Sequence, residues 1–269
     1  MWSISWLPYR LQLLLGKGIG KLLAKVAAKR GEVALRNLEL CFPNMPESER
    51  KALLKRNFES TGIALLETGM GWWWPEWRVK PKVTFSGLEH VEAAKEAGNG
   101  VLLLGVHNLN LEFSCRALGT SHPAVVFYRP HNNALMEYFQ HRGRARSNKY
   151  MLGKRDVKGL IRALREKETC IYMPDQDYGR KRSVFLPFFN VKDTATTTGT
   201  LIFTKQPNVV SCIIHTVRKE DGSGYQINIS PPLENFPSGD DEADLIRVNQ
   251  EIEQAILKQP DQYLWIPQN

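Results

Sequence analysis

The chain has 269 residues, 42% of them hydrophobic and 10% aromatic, which fits a globular protein with ample material for a core. Its net charge of +8 points to a negatively charged partner: nucleic acid, an anionic membrane, or an acidic protein or substrate. Cys41, Cys115, Cys170 and Cys212 show no C-x-x-C or Cys/His zinc spacing, which argues against a disulfide framework and against a zinc site.

No run reaches the roughly 18 uncharged apolar residues that span a bilayer. Instead, Met1 to Lys25 mixes Trp2, Trp6, Tyr9 and a series of leucines with Arg10, Lys17, Lys21 and Lys25. That pattern suits a helix lying among lipid headgroups or a helix facing a core. A further helix is expected over Ser48 to Leu66, started by Asn44-Met-Pro46. Three successive tryptophans follow in Gly71-Trp-Trp-Trp-Pro75. They cannot all face one core, so they meet a ligand, a lipid interface or a neighbouring element, or they pack the helical front end onto the rest.

From residue 80 strands and helices alternate. Strands are expected at Val83–Phe85, Gly100–Val106, Ala124–Tyr128, Thr169–Met173, Val209–Val217 and Tyr225–Ser230, the last two across a Gly222-Ser-Gly224 turn. Helices are expected at Glu89–Ala97, Leu109–Leu118, Ala134–Arg146, Asp156–Glu166 (capped by Asp156), Thr196–Lys205 and Glu242–Lys258. The expected fold is α/β, with a mixed, mostly parallel central sheet flanked by helices and a helical N-terminal region. Residues 1–78 read as that helical, membrane-associated region and 79–269 as a continuous α/β core.

Ligands of parallel sheets gather where strands end and helices begin. Three polar clusters fall at such ends: His107 with Glu112, Tyr128-Arg-Pro-His-Asn-Asn133, and Pro174-Asp-Gln-Asp-Tyr-Gly179. Adjacent strands would bring them together. Histidine suits proton abstraction near neutral pH, and a carboxylate on its other ring nitrogen fixes the tautomer. Residues five apart lie about 140° apart on a regular helix. His107 and Glu112 can therefore pair only with His107 in the turn and Glu112 on the first helical turn, with Asn108 or Asn110 as cap. On spacing alone, a structural histidine explains His107 better.

The stretch from Arg142 to Arg182 holds 13 Lys/Arg against 5 Asp/Glu, so its surplus equals that of the whole chain. Arg142, Arg144 and Arg146 suit phosphate recognition or simple charge complementarity at a helix C-terminus. Asp175 and Asp177 have no further acidic or histidine ligand close in sequence, so no metal is expected. Neither a phosphate-binding glycine loop nor a nucleophile elbow is present, and covalent catalysis is not supported.

These motifs occur in order with Asn37-Leu-Glu-Leu-Cys-Phe-Pro43, Asn57-Phe-Glu-Ser60, Arg142-Gly-Arg-Ala-Arg-Ser-Asn-Lys149 and Gln262-Tyr-Leu-Trp-Ile266. Together they closely resemble the late acyltransferases of bacterial lipid A biosynthesis over almost the whole chain, nearest the lauroyl/palmitoleoyl branch. The resemblance implies a glycerolipid-acyltransferase-like fold at the cytoplasmic face of the inner membrane. It implies transfer of an acyl chain, lauroyl in the first instance, from acyl carrier protein to a hydroxyl of a Kdo-bearing tetraacyl lipid A precursor. It implies His107 as base, Glu112 orienting it, Arg144 and Arg129 on phosphate or developing charge, and Asp175 holding the arginines. Asn132 and Asp177 complete the expected substrate contacts. No cofactor and no nucleic acid partner is implied. Such enzymes start with a membrane-spanning helix, of which the downstream end is recognisable here, and carry His and a basic tail where this chain reads Pro267-Gln-Asn269. Two other readings stay open: a lysophospholipid or glycerolipid acyltransferase, which usually carries Phe-Pro-Glu-Gly-Thr where Pro174-Asp-Gln-Asp stands, and a non-catalytic membrane-binding relative.

Overall fold

The computed structural model describes residues 2–176 and 179–265. Its front end is helical: α1 (Trp2–Ser5), α2 (Tyr9–Val26), α3 (Ala28–Cys41), α4 (Glu47–Trp73) and α5 (Glu76–Val79). Next come β1 (Val83–Ser86), α6 (Leu88–Glu96), β2 (Gly100–Gly105), α7 (Leu111–Ser121), β3 (Val125–Tyr128), α8 (Ala134–Ala145), β4 (Tyr150–Gly153), α9 (Val157–Arg165) and β5 (Thr169–Tyr172). The chain continues with β6 (Ser183–Phe188), β7 (Val191–Thr197), α10 (Gly199–Thr204), β8 (Val209–Arg218), β9 (Tyr225–Ile229) and α11 (Asp241–Leu257).

Seven strands form one sheet in the order β1-β9-β8-β2-β5-β3-β4, and β6 and β7 form a separate hairpin. From β8 to β4 every neighbour is parallel, whereas β8 and β9 are antiparallel. The fold is thus α/β with a mixed, mostly parallel sheet. β2 lies at its centre and is buried along its whole length, as expected of a parallel strand covered on both faces. Alternation along β2 sends Leu102 and Leu104 into one layer with α9, α10 and α11, and Val101 and Leu103 into the other with α6 and α7.

Helix α2 packs on α4 with inverted amphipathicity. Its inward stripe is Tyr9, Gln12, Gly16 and Gly20, while Leu11, Leu14, Leu15 and Leu22 face outward, Leu14 at 68% exposure. The two glycines let the helix backbones nearly touch Gly62 of α4, the close approach that small-xxx-small spacing permits. None of the helices among the described residues is long and apolar enough to cross a membrane.

A buried ion pair ties α4 to the sheet. Arg218 of β8 donates twice to Glu67, through Nε to Oε1 at 2.6 Å and Nη2 to Oε2 at 2.8 Å, and the Tyr225 hydroxyl of β9 donates to Oε1 at 2.6 Å. Glu67 is wholly buried, so these donors replace the water it gives up.

Some elements differ from expectation. α4 runs on to Trp73 because its inward residues continue through Met70 and Trp72. β4 and the β6–β7 hairpin were not expected. Thr196 and Thr197 end β7 rather than start a helix. The tryptophans pack within the protein: Trp74 donates to the Ser5 carbonyl and packs edge-on to Phe113, and Trp73 packs against Trp72 and Phe139.

Two outcomes follow for stability. A Cβ on Gly62 would lie 2.1 Å from the Gly16 oxygen and 2.3 Å from the Gly20 nitrogen. Gly62→Ala is therefore expected to lower unfolding free energy by about 1–3 kcal/mol in denaturant titration. In addition, burial first and Lys258 second depress the His215 pKa from 6.5 to about 4. The folded chain keeps His215 neutral, while the unfolded chain takes up a proton below about pH 6.5. Stability is full above that pH and falls as pH drops toward 4, and His215→Asn should shallow this fall in urea midpoints.

Candidate active site

The β2–β5 register places Leu104 opposite Tyr172. His107 and Asp175 each lie three residues further on, so both emerge at the same height from neighbouring strand ends. The Asp175 carboxylate meets His107 twice, at 2.5 Å to the ring Nδ1 and at 2.8 Å to the backbone N–H. The Asp175 side chain is fully buried and that of His107 is 19% exposed. A carboxylate only accepts hydrogen bonds, so Nδ1 donates and Nε2 carries the free lone pair.

The loop that carries His107 is fastened from behind by the C-terminal segment. The Leu264 N–H donates to the His107 carbonyl at 3.1 Å, the Leu109 N–H donates to the Gln262 carbonyl at 2.7 Å, and Asn108 pairs with Tyr263 in an antiparallel bridge. Asn108 and Asn110 both donate to the Thr216 carbonyl of β8. Asn110 occupies the cap position of α7, but its side chain makes no cap bond: its Nδ2 is engaged by Thr216 and its Oδ1 accepts from the Ser114 hydroxyl. The Tyr263 hydroxyl donates to the Asp175 carbonyl at 3.3 Å, linking both halves of the pair to the same segment.

Glu112 stands on the first turn of α7, as expected, but its side chain bonds Arg144, Trp72 and Gln140 rather than His107 among the described residues. Arg144 grips it with Nη2 to Oε1 at 2.5 Å and Nε to Oε2 at 3.1 Å, while Trp72 Nε1 and Gln140 Nε2 donate at 2.9 and 3.2 Å. Each carboxylate oxygen thus accepts two bonds, one set per lone pair. Burial alone would raise the Glu112 pKa, but the charge and bonds of Arg144, with Trp72 and Gln140, outweigh it and hold it low. The converse holds for Arg144, where burial is outweighed by Glu112 and the pKa is raised. The two carboxylates therefore exchange the parts expected of them: Asp175 holds the histidine and Glu112 holds the arginine. The reason is topological, since the turn between His107 and α7 directs Glu112 toward α4 and α8 while β5 delivers Asp175 to the ring.

Arg129 and Asn132 lie exposed in the loop between β3 and α8, beside Asn133, which caps α8. Asp177 lies outside the described residues. Arg142 and Arg146 are exposed while Arg144 is buried over the Tyr128 ring, so the three arginines do not form one cluster. The contributions of Trp72 and Gln140 to the Glu112 site, and of Gln262 and Tyr263 to the His107 loop, had not been anticipated in the sequence. Among the described residues no group of three or more His, Cys, Asp or Glu side chains is arranged to hold a metal ion.

The family model for bacterial lipid A biosynthesis acyltransferases matches residues 1–269. The chain belongs to that family. It is 42% identical over 266 residues to the lipid A biosynthesis palmitoleoyltransferase of Escherichia coli (strain K12), covering 99% of this chain and 87% of that one. It is 41% identical to the lauroyltransferase of the same strain, with the same coverage. A crystal structure of the 1-acyl-sn-glycerophosphate acyltransferase PlsC from Thermotoga maritima aligns over 94% of this chain and 98% of that one, at 12% identity and a TM-score of 0.41. This lipid A acyltransferase carries an imidazole–carboxylate pair at the strand ends of its sheet and a separate carboxylate–guanidinium pair between α7 and α8.

The second pair can be tested by stability. Removing one partner of a buried ion pair strands the other charge, at a cost of about 3–5 kcal/mol. Glu112→Ala is expected to lose that much in denaturant titration, and Glu112→Leu combined with Arg144→Leu to recover most of it.

Proposed function

We propose that this acyltransferase moves a fatty acyl chain, lauroyl in the first instance, from acyl carrier protein to a hydroxyl of the Kdo-bearing tetraacyl lipid A precursor. The observation that carries the chemistry is the His107–Asp175 pair, with Nδ1 held by the carboxylate and Nε2 bonded to none of the described residues. His107 Nε2 accepts the proton of the acceptor hydroxyl as its oxygen attacks the thioester carbonyl. The tetrahedral intermediate then expels the thiolate, which takes the proton back from His107, leaving an ester and a free thiol. Asp175 stabilises the imidazolium between these steps and keeps the tautomer correct. Arg144 is occupied by Glu112, so its role is to fix α7 against α8. Arg129, exposed just after β3, offers a guanidinium to a phosphate of the acceptor.

The outward leucines of α2, with Trp2 of α1 and Trp6 in the turn after it, support a location at the cytoplasmic face of the bacterial inner membrane. Exposed Arg10, Lys17, Lys21 and Lys25 flank them and suit anionic headgroups. An amphiphilic acceptor then need not leave the bilayer surface to reach His107.

The test incubates the purified chain with lauroyl-acyl carrier protein and the tetraacyl precursor in detergent, and weighs the lipid product by mass spectrometry. One added acyl chain is expected, and its absence would overturn the proposal. His107→Ala should abolish transfer. Asp175→Asn should lower kcat by about 10²–10⁴ while Glu112→Gln lowers it less, because only Asp175 sets the imidazole tautomer. Equal losses in both variants would refute the assignment of Asp175.

A further inference from the structure

Most of the basic surplus between Arg142 and Arg182 takes no part in this chemistry. Lys154 and Arg155 follow β4 directly, and Lys158, Arg162 and Arg165 recur at helical spacing along one side of α9. All five are exposed. The other side of α9 buries Leu160, Ala163 and Leu164 against the sheet, which fixes the outward direction of the basic row. Lys154, Arg155, Lys158 and Arg162 form no ion pair among the described residues, and Arg165 donates to the neutral Gln206 amide at 3.1 Å. Two carboxylates stand nearby: Asp156 caps α9 through the Gly159 N–H, and Glu166 is exposed at its end. Five cations against two anions leave the row strongly positive.

Its place in the fold says which kind of anion it meets. α9 covers the layer of the sheet shared with α11, over β2, β5 and β3. The start of α2 packs in the opposite layer, through Tyr9 and Leu13, and beside β9 near the β1 edge, where the Tyr9 and Tyr225 rings are 5.9 Å apart. The basic row and the outward leucines of α2 therefore sit on opposite layers of the sheet. A row turned away from the lipid-facing helix suits a soluble acidic protein rather than a bilayer. It also lies close enough to serve the site: β4 is three strand spacings from β2, about 14 Å, and both strands end on the His107 side.

We infer that Lys154, Arg155 and the Lys158–Arg162–Arg165 side of α9 dock an acidic protein that presents its acyl thioester on a tether to His107. The inference rests on the acyl transfer proposed above. Opposite charge across such a surface speeds encounter and sets orientation, and its contribution fades with salt.

The experiment compares the wild-type chain with a Lys158→Glu, Arg162→Glu double variant. Fluorescence anisotropy reports binding of labelled acyl carrier protein at low and moderate salt, and steady-state kinetics report KM for the carrier-bound donor. The variant is expected to bind at least about tenfold more weakly, with a flatter salt dependence and a raised donor KM at unchanged kcat. Its thermal midpoint, its KM for the lipid acceptor and its sedimentation with phosphatidylethanolamine/phosphatidylglycerol vesicles should stay as in the wild type. Unchanged carrier binding and donor KM would overturn the docking surface, as would loss of vesicle binding in place of carrier binding. A wild-type chain that binds the carrier through this row yet transfers no acyl group would sink the acyl-transfer reading and leave the docking surface standing.

Discussion

A parallel register in which Leu104 faces Tyr172 brings two strand ends to equal height, and the chemistry of the site depends on that height. The Asp175 carboxylate reaches both the ring and the backbone N–H of His107 because each residue leaves its strand by the same three-residue step. A shift of one residue in either strand would turn successive side chains to the other face and separate the pair. Burial of β2 on both faces opposes such a shift, since Val101 and Leu103 fill one layer and Leu102 and Leu104 the other. The hydrophobic core thus sets the position of a polar pair outside it.

Polar residues from helices near the start of the chain hold the same loop from behind. Asn37 of α3 donates to the Trp265 carbonyl, Asn57 of α4 to the carbonyls of Asp261 and Tyr263, and Ser60 to the Asp261 carboxylate. Gln262 bonds the backbone N–H and carbonyl of Arg218, whose guanidinium is fixed by Glu67. These bonds place the C-terminal segment across the His107 loop, where Leu264 and Leu109 complete a short antiparallel pairing. Helices laid down before residue 75 therefore act on the site through the last residues of the described chain. Motifs scattered along the sequence share one task, to press the segment from Asp261 to Trp265 against the turn after β2.

The alternation of apolar runs and turns made the central sheet legible in the sequence, together with the convergence of three strand ends. The partner of the histidine was not legible, because local spacing favours Glu112 at five residues and the bonded carboxylate is 68 residues away. Only the pairing of β2 with β5 supplies that contact, and pairing partners are not written in either strand. β4 escaped because Tyr150-Met-Leu-Gly153 is too short to show a period. β6 and β7 escaped because Pro187, Lys192 and Asp193 interrupt the alternation, which an isolated hairpin tolerates. In α2 the leucines suit a lipid-facing helix or a core-facing one in sequence alone. In the structure the glycines between them make the contact with α4, while Leu11, Leu14, Leu15 and Leu22 remain outside.

The Glu112–Arg144 pair raises a different question, because a buried ion pair adds little stability over an apolar pair of similar shape. Its value lies in direction. Trp72 from α4, Gln140 and Arg144 from α8, and Glu112 from α7 meet at one carboxylate whose four bonds fix angle as well as distance. Apolar contacts alone would let these helices slide. Gly143 allows the contact by leaving room for the Trp72 ring, which a Cβ would approach to 2.4 Å. Because α7 begins four residues after His107, a fixed start to α7 limits how far the turn can rotate. The pair beyond the histidine thus constrains the far side of the turn, while Asp175 constrains the ring and the C-terminal segment constrains its backbone. Each restraint comes from a different element, so displacing the imidazole would require several of them to give way together.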